Sequence, residues 1–385
     1  MTAEEKLLIG MLRRSVAGTK EPLCPKVDWQ AAVKLAKMHM LLPLLYDGLR
    51  QDPQDWNKVP GDVQAILYKS FLQAVYRDTQ MDRLKAALEA TLSEQAVPHV
   101  FLKGSVLKEN YPTPALRTMC DMDVLVYTED FPRIALISEE MGGKLCHSDG
   151  NHRNYRFPGG LTVEFHPQLL HHDTPVGTQI NPGWQYVDPE HPDRLTEEGF
   201  YLNTICHLAN HFVAGGVGVR FILDVWVNRH LRKPEADREV VLAELKRFGL
   251  MDFAEKIEAL AECWFGSGEE TPLLAELGEY ILTSGSHGRT DREILNAVSL
   301  SSGGTGASAL VGKMFFSREE MEDRFPWCKG KPWLLPAAWC VRAGRAVTKH
   351  GRHILVWGKE TGKVSKEDVA HQKEKLERFG IRKEK

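Results

Sequence analysis

Residues 120–127 read "CDMDVLVY", a run fit for a buried strand with two aspartates set two apart at its mouth. Side chains alternate faces along a strand, so Asp121 and Asp123 project to one side and Met122 and Val124 to the other. Neighbouring carboxylates repel, and burying them unpaired costs far more than leaving them in water. A fold that keeps this strand inside must therefore bring something cationic to that face.

The texture of the chain changes on either side of this strand. Residues 1–97 carry apolar residues at helical spacing. Within "VDWQAAVKLAKMHMLLPLLYDGLR", Asp28 is a candidate N-cap and Pro43 a break. "GDVQAILYKSFLQAVYRDTQMDRLKAALEATLSEQ" predicts one long helix ending before Pro98. Residues 98–190 then hold five strand candidates: "HVFLKG", "MDVLVY", "GKLCHS", "NYRFP" and "LTVEFHP". Residues 191–362 read as helical again, and 363–385 form a charged tail, expected as a frayed helix or disorder. The expected fold class is α+β, a small mixed sheet flanked by N- and C-terminal helical regions.

Composition excludes little but does exclude something. With a net charge of −3, no whole-chain electrostatic argument favours nucleic acid or a membrane surface. No run approaches the ~20 apolar residues of a membrane span, and the N-terminus reads as an amphipathic helix, not a signal peptide. Seven cysteines without a CxxC pair fit a reduced, cytoplasmic protein.

Three elements carry chemistry. "LKGS" ends a strand at Lys103, Gly104 and Ser105 where a helix starts, and free N–H groups there suit an anionic phosphate. The second element is the Asp121/Asp123 pair. The third is Glu164 in "TVEFH", whose neighbours Val163 and Phe165 point the other way. If the two strands are neighbours, three carboxylates converge, a donor set that hard ions such as Mg²⁺ use to bridge protein and substrate phosphates.

The order of strand, Gly-Ser turn into a helix, Asp-x-Asp strand and later acidic strand resembles the nucleotidyltransferase superfamily related to DNA polymerase β. "FLKGSVLKENYPTPALRTMCDMDVLV" is similar to the branch of uncharacterised nucleotidyltransferases, and the likeness extends to "VDWQAAVKLAKMHMLLPLL", "HLANHF", "VRFILDV" and "FFSREEMEDRFPW". Fifteen residues separate Ser105 from Asp121, more than is usual for the superfamily, the extra length lying in the proline loop. The resemblance implies transfer of a nucleotidyl group from a nucleoside triphosphate, ATP among them, to an acceptor hydroxyl with release of pyrophosphate. Gly104 and Ser105 would grip the triphosphate. Asp121 and Asp123 would hold Mg²⁺ or Mn²⁺, with Glu164 as third ligand or general base. Lys103 and Arg117 would neutralise phosphates. The acceptor is left open among small molecules, sugars and proteins; no basic, aromatic-interleaved stripe points to nucleic acid.

Other features read more plainly. His207 and His211 in "HLANH" have zinc-site spacing, and "HHD" at 171–173 could add ligands. Without an HExxH glutamate or a cysteine cluster they read as packed polar helix residues. Arg220 and Asp224, at i and i+4, read as an intrahelical ion pair; the resemblance also allows this helix to face substrate, with Arg220 on a phosphate. Trp226, Trp264 and Trp339 read as core. Two other functions compete: a sugar-nucleotide glycosyltransferase, whose DxD closes a larger α/β unit than this one, and an inactive nucleotide sensor on the same fold.

Overall fold

The computed structural model describes residues 1–23, 26–148, 152–170, 174, 176–286, 288–301, 305, 318, 321–322, 325–344, 361 and 364–382. Five helices come first: α1 (Ala3–Ala17), α2 (Trp29–Met38), α3 (Leu42–Arg50), α4 (Pro53–Trp56) and α5 (Gly61–Glu94). Asp28 caps α2, its carboxylate accepting from the N–H groups of Gln30 and Ala31. Pro43 sits in the first turn of α3, where its missing N–H is not needed. On the long helix α5, Ala74, Met81 and Leu88 recur every seven residues on the buried stripe.

All five expected strands form: β1 (His99–Leu102), β2 (Asp121–Val126), β3 (Lys144–Ser148), β4 (Arg153–Phe157) and β5 (Leu161–His166). Helix α6 (Gly104–Leu107) follows β1, and α7 (Phe131–Glu140) follows β2. The sheet order is β1-β2-β5-β4-β3. β2 and β5 run parallel, pairing Asp123 with Glu164, and β1 pairs antiparallel on the other edge of β2. One sheet face, with Phe101, Met122, Val124, Val163 and Phe165, packs on Met81 and Leu88 of α5 and on Ile134 and Ile137 of α7. The opposite face carries Asp121, Asp123, Glu164 and His166 at its open end, while Leu102 and Leu125 join a second core.

That second core is built by both helical regions together. The later helices are α8 (Glu197–Val213), α9 (Val219–His230), α10 (Arg238–Arg247), α11 (Met251–Phe265), α12 (Pro272–Leu282), α13 (Thr290–Leu300) and α14 (Lys366–Arg378). Leu7, Leu12 and Leu44 pack in one cluster with Leu208, Phe212, Leu223 and Ile257. Arg13 on α1 donates to the carbonyls of Cys263 and Trp264, both at 2.8 Å. His39 binds the regions as a neutral ring: Nδ1 accepts the Val219 N–H at 3.2 Å, and Nε2 donates to the Leu282 carbonyl at 3.1 Å. Burial pushes its pKa down to about 4. No helix among the described residues is long and apolar enough to cross a membrane.

The tail corrects the expectation of fraying or disorder. α14 is an ordered helix with a capping box at Ser365 and Asp368, and Leu376, Phe379 and Ile381 are buried. Burying three such side chains contributes ~1.5–3 kcal/mol each, enough to dock a helix whose other faces are charged. Lys375 and Arg378 reach Glu276 on α12. Trp226 and Trp264 are buried as expected, and Trp339 packs half-buried against the Met321 and Phe325 cluster.

Candidate functional site

The parallel register of β2 and β5 sets Asp123 directly opposite Glu164, and the same face of β5 carries His166 two residues on. Asp123, Glu164 and His166 offer ligand atoms all within 4.8 Å of one another. Asp121 lines the same cavity, of about 340 Å³, but stands outside that group. The cluster therefore holds two of the three expected carboxylates, with an imidazole in the third place and Asp121 beside it. His166 was legible in principle, since Glu164 and His166 must share a face in an alternating strand.

The cation demanded by the aspartate pair is present as Lys103. Its ammonium donates to Asp123 Oδ1 at 2.8 Å, and the same oxygen lies 2.9 Å from His166 Nε2. A carboxylate oxygen only accepts, so this contact needs a proton on His166 Nε2. Asn154 donates to Glu164 Oε1 at 2.5 Å, fixing that carboxylate from the neighbouring strand. Lys103 holds this place at a cost: its backbone lies at φ 52°, ψ −123°, a conformation that favours glycine and costs ~1–3 kcal/mol in other residues.

The two aspartates titrate apart. Burial would raise Asp123, but the Lys103 ammonium and His166 outweigh it and hold that carboxyl well below the usual range. Burial, then the charges of Asp123 and Glu164, push Asp121 up, and Lys103 and Arg220 only partly offset this. One carboxylate is satisfied by protein cations and the other is under-compensated, which is the state a bound divalent ion would relieve.

The remaining expected residues have other neighbours. Arg117 lines the cavity but is clamped on Asp224, Nε to Oδ1 at 3.1 Å and Nη2 to Oδ2 at 2.8 Å. Tyr111 donates to the same carboxylate at 2.7 Å. All three groups are buried. The intrahelical Arg220–Asp224 pair is thereby corrected, because Asp224 faces Arg117 and Arg220 instead donates to the Thr118 carbonyl at 2.5 Å. Gly104 also has a structural reason to be glycine. A Cβ there would collide with the Arg117 guanidinium. Ser105 is buried, and its hydroxyl donates to the Leu102 carbonyl at 2.8 Å rather than facing the cavity.

The loop feeding Asp121 is pinned from three sides. Thr118 donates to the Met40 carbonyl, Arg220 holds the Thr118 carbonyl, and Arg77 on α5 donates to the carbonyls of Met119 and Cys120. Across the cavity, α8 presents His207 and His211. They pack on each other and on Phe221, as expected of packed polar helix residues, and they also face the same space as the carboxylates. His171, His172 and Asp173 lie outside the described residues.

Against this geometry the family comparison is decisive. The sequence model for the uncharacterised nucleotidyltransferases matches residues 25–266, more than half of the chain. The chain belongs to the uncharacterised nucleotidyltransferase family. The matched range of this nucleotidyltransferase contains the whole sheet, the carboxylate face and the α8–α9 wall, and it stops before α12. The "FFSREEMEDRFPW" likeness falls beyond it and largely outside the described residues. No curated protein and no solved structure matches the chain.

Proposed function

We propose that this nucleotidyltransferase moves a nucleoside monophosphate from a nucleoside triphosphate to an acceptor hydroxyl, with Mg²⁺ or Mn²⁺ and release of pyrophosphate. The observation that carries this is the β2–β5 register, which aims paired carboxylates into a cavity that also holds lysine and arginine. The donor set fits a divalent ion: Asp123, Glu164 and His166 offer clustered ligand atoms, and Asp121 lines the same cavity as a further oxygen donor. Such an ion, when bound, would neutralise charge on the transferring phosphoryl group and the leaving pyrophosphate.

The chain's own residues divide the remaining work. Lys103 occupies Asp123 Oδ1 as a stand-in cation and, once displaced, has its ammonium beside the phosphates. Gly104 and Ser105 enter through backbone N–H groups, and Arg117 acts by position, backing Gly104 while fixed on Asp224. Glu164, tied by Asn154 into the cluster, serves as a ligand. Arg220 takes the phosphate role first expected of Arg117. No carboxylate lies within ion-pair distance of it among the described residues, and its Nε is buried without a hydrogen-bond partner. A small molecule, a sugar or a protein hydroxyl would enter as acceptor from the cavity mouth.

Calorimetric titration with Mg²⁺ and each nucleoside triphosphate, and with tripolyphosphate, tests this reading. Saturable binding is expected, weakened ~10–100-fold for both ligand types in Arg220→Met, the worth of a charge-assisted hydrogen bond. Equal binding by variant and wild type would remove Arg220 from the site. No binding of any triphosphate would remove the nucleotide.

A further inference from the structure

The wall facing the carboxylates holds donors that nucleotide chemistry does not use. His207, Asn210 and His211 stand at i, i+3 and i+4 on α8, one face of the helix, and all three line the cavity. The Nε2 atoms of His207 and His211 lie 3.0 Å apart. Two imidazole nitrogens come this close by sharing one proton, and a shift of a few tenths of an ångström would bring them to the ~3.3 Å separation of two nitrogens on one tetrahedral ion. The Phe221 ring lies against both, with centroids 5.9 Å from His207 and 5.6 Å from His211, and holds the pair in register. Asn210 Oδ1 is buried with no hydrogen-bond partner, an acceptor that nothing in the described protein satisfies.

We propose that His207 and His211, with Asn210 Oδ1 as a third donor, form a second metal site for a borderline ion such as Zn²⁺, separate from the carboxylate site. Imidazole suits zinc and its neighbours, whereas carboxylate oxygens suit Mg²⁺ and Mn²⁺, so the two walls of the cavity select different ions. Three protein donors would leave a four-coordinate ion one position for water or a ligand. The site stands on its own geometry and does not depend on the nucleotide reading.

Titration of the metal-free protein with Zn²⁺, and with Co²⁺ followed by its visible absorption, is the test. The Asp123→Asn background removes a ligand of the other site. One equivalent is expected to bind with tetrahedral cobalt absorption in wild type and in Asp123→Asn. His207→Gln and His211→Gln should each lower the affinity at least ~10-fold, with the cobalt band lost, and Asn210→Ala should lower it less. Because His211 is exposed, its substitution leaves the fold intact and keeps the test informative if His207→Gln folds poorly. Binding that vanishes in Asp123→Asn and persists in both histidine variants would overturn the assignment, as would no binding in wild type. The histidines would then be a proton-sharing pair only.

Discussion

Asp121→Asn and Asp123→Asn are expected to lose metal-dependent turnover alike, and yet to melt on opposite sides of wild type when metal is absent. Each substitution takes a charge from the ion's donor set. Metal affinity should fall at least the ~10–100-fold that losing an outer-shell partner costs, and turnover at least ~100-fold, since a bound ion is worth several kcal/mol to the transition state. The stabilities divide because the partners differ. Asp123 accepts from Lys103 and His166, so its amide leaves a half-buried ammonium unpaired and costs ~2 kcal/mol. Asp121 carries an under-compensated charge beside Asp123 and Glu164, so its amide relieves repulsion and should raise the melting temperature. Calorimetric melting in chelator measures both. If both variants shifted the same way, the unequal charging of the pair would be wrong.

Asp224→Ala is expected to be the most destabilising single change at the site, by about 3–5 kcal/mol. The substitution leaves the buried Arg117 guanidinium without its carboxylate and the Tyr111 hydroxyl without its acceptor. Burial raises the Tyr111 hydroxyl, and the Asp224 charge raises it further, so it stays protonated and donates. The clamp joins the 111–117 loop to α9 and sets the guanidinium against Gly104, so its loss also loosens the turn behind Lys103. Adding Arg117→Met removes the stranded charge and should restore much of the stability, a coupling that a double-mutant cycle in urea reads directly. A cost below ~1 kcal/mol for Asp224→Ala, or no recovery in the double variant, would contradict a buried, mutually dependent pair.

Local periodicity made most of the fold legible. β5 alternates, β1 and β2 are short apolar runs closed by turn residues, the long helix is heptad-like, and the Asp28 cap and Pro43 break obey rules that need no tertiary knowledge. The carboxylate face followed from alternation alone. What could not be read was partnership at a distance. The i, i+4 rule gave Asp224 a partner in Arg220, but Arg117, 107 residues away in sequence, offers a bidentate fork and takes the carboxylate. Gly104 is expected at a phosphate, and nothing in its local sequence shows that a Cβ there would also meet that same guanidinium. His207 and His211 show why helix spacing alone cannot tell a core face from a cavity wall, because only the docking of α8 over the sheet decides it. The tail departs from its expected disorder for a local reason. Leu376, Phe379 and Ile381 are few but closely spaced on one side, and three buried anchors suffice.

Pyrophosphate release reports the proposed transfer itself. Wild type and Glu164→Gln are each incubated with Mg²⁺ and a panel of nucleoside triphosphates, with and without cell extract as a source of acceptor. Binding is measured in parallel by calorimetry. Wild type should release pyrophosphate only with divalent metal, and Glu164→Gln should fall at least ~100-fold in turnover while still binding triphosphate, because it loses a group needed for the transfer step more than for binding. Nucleotide binding by wild type without pyrophosphate release from any triphosphate, with or without extract, would contradict the enzyme and describe a nucleotide sensor built on the same fold.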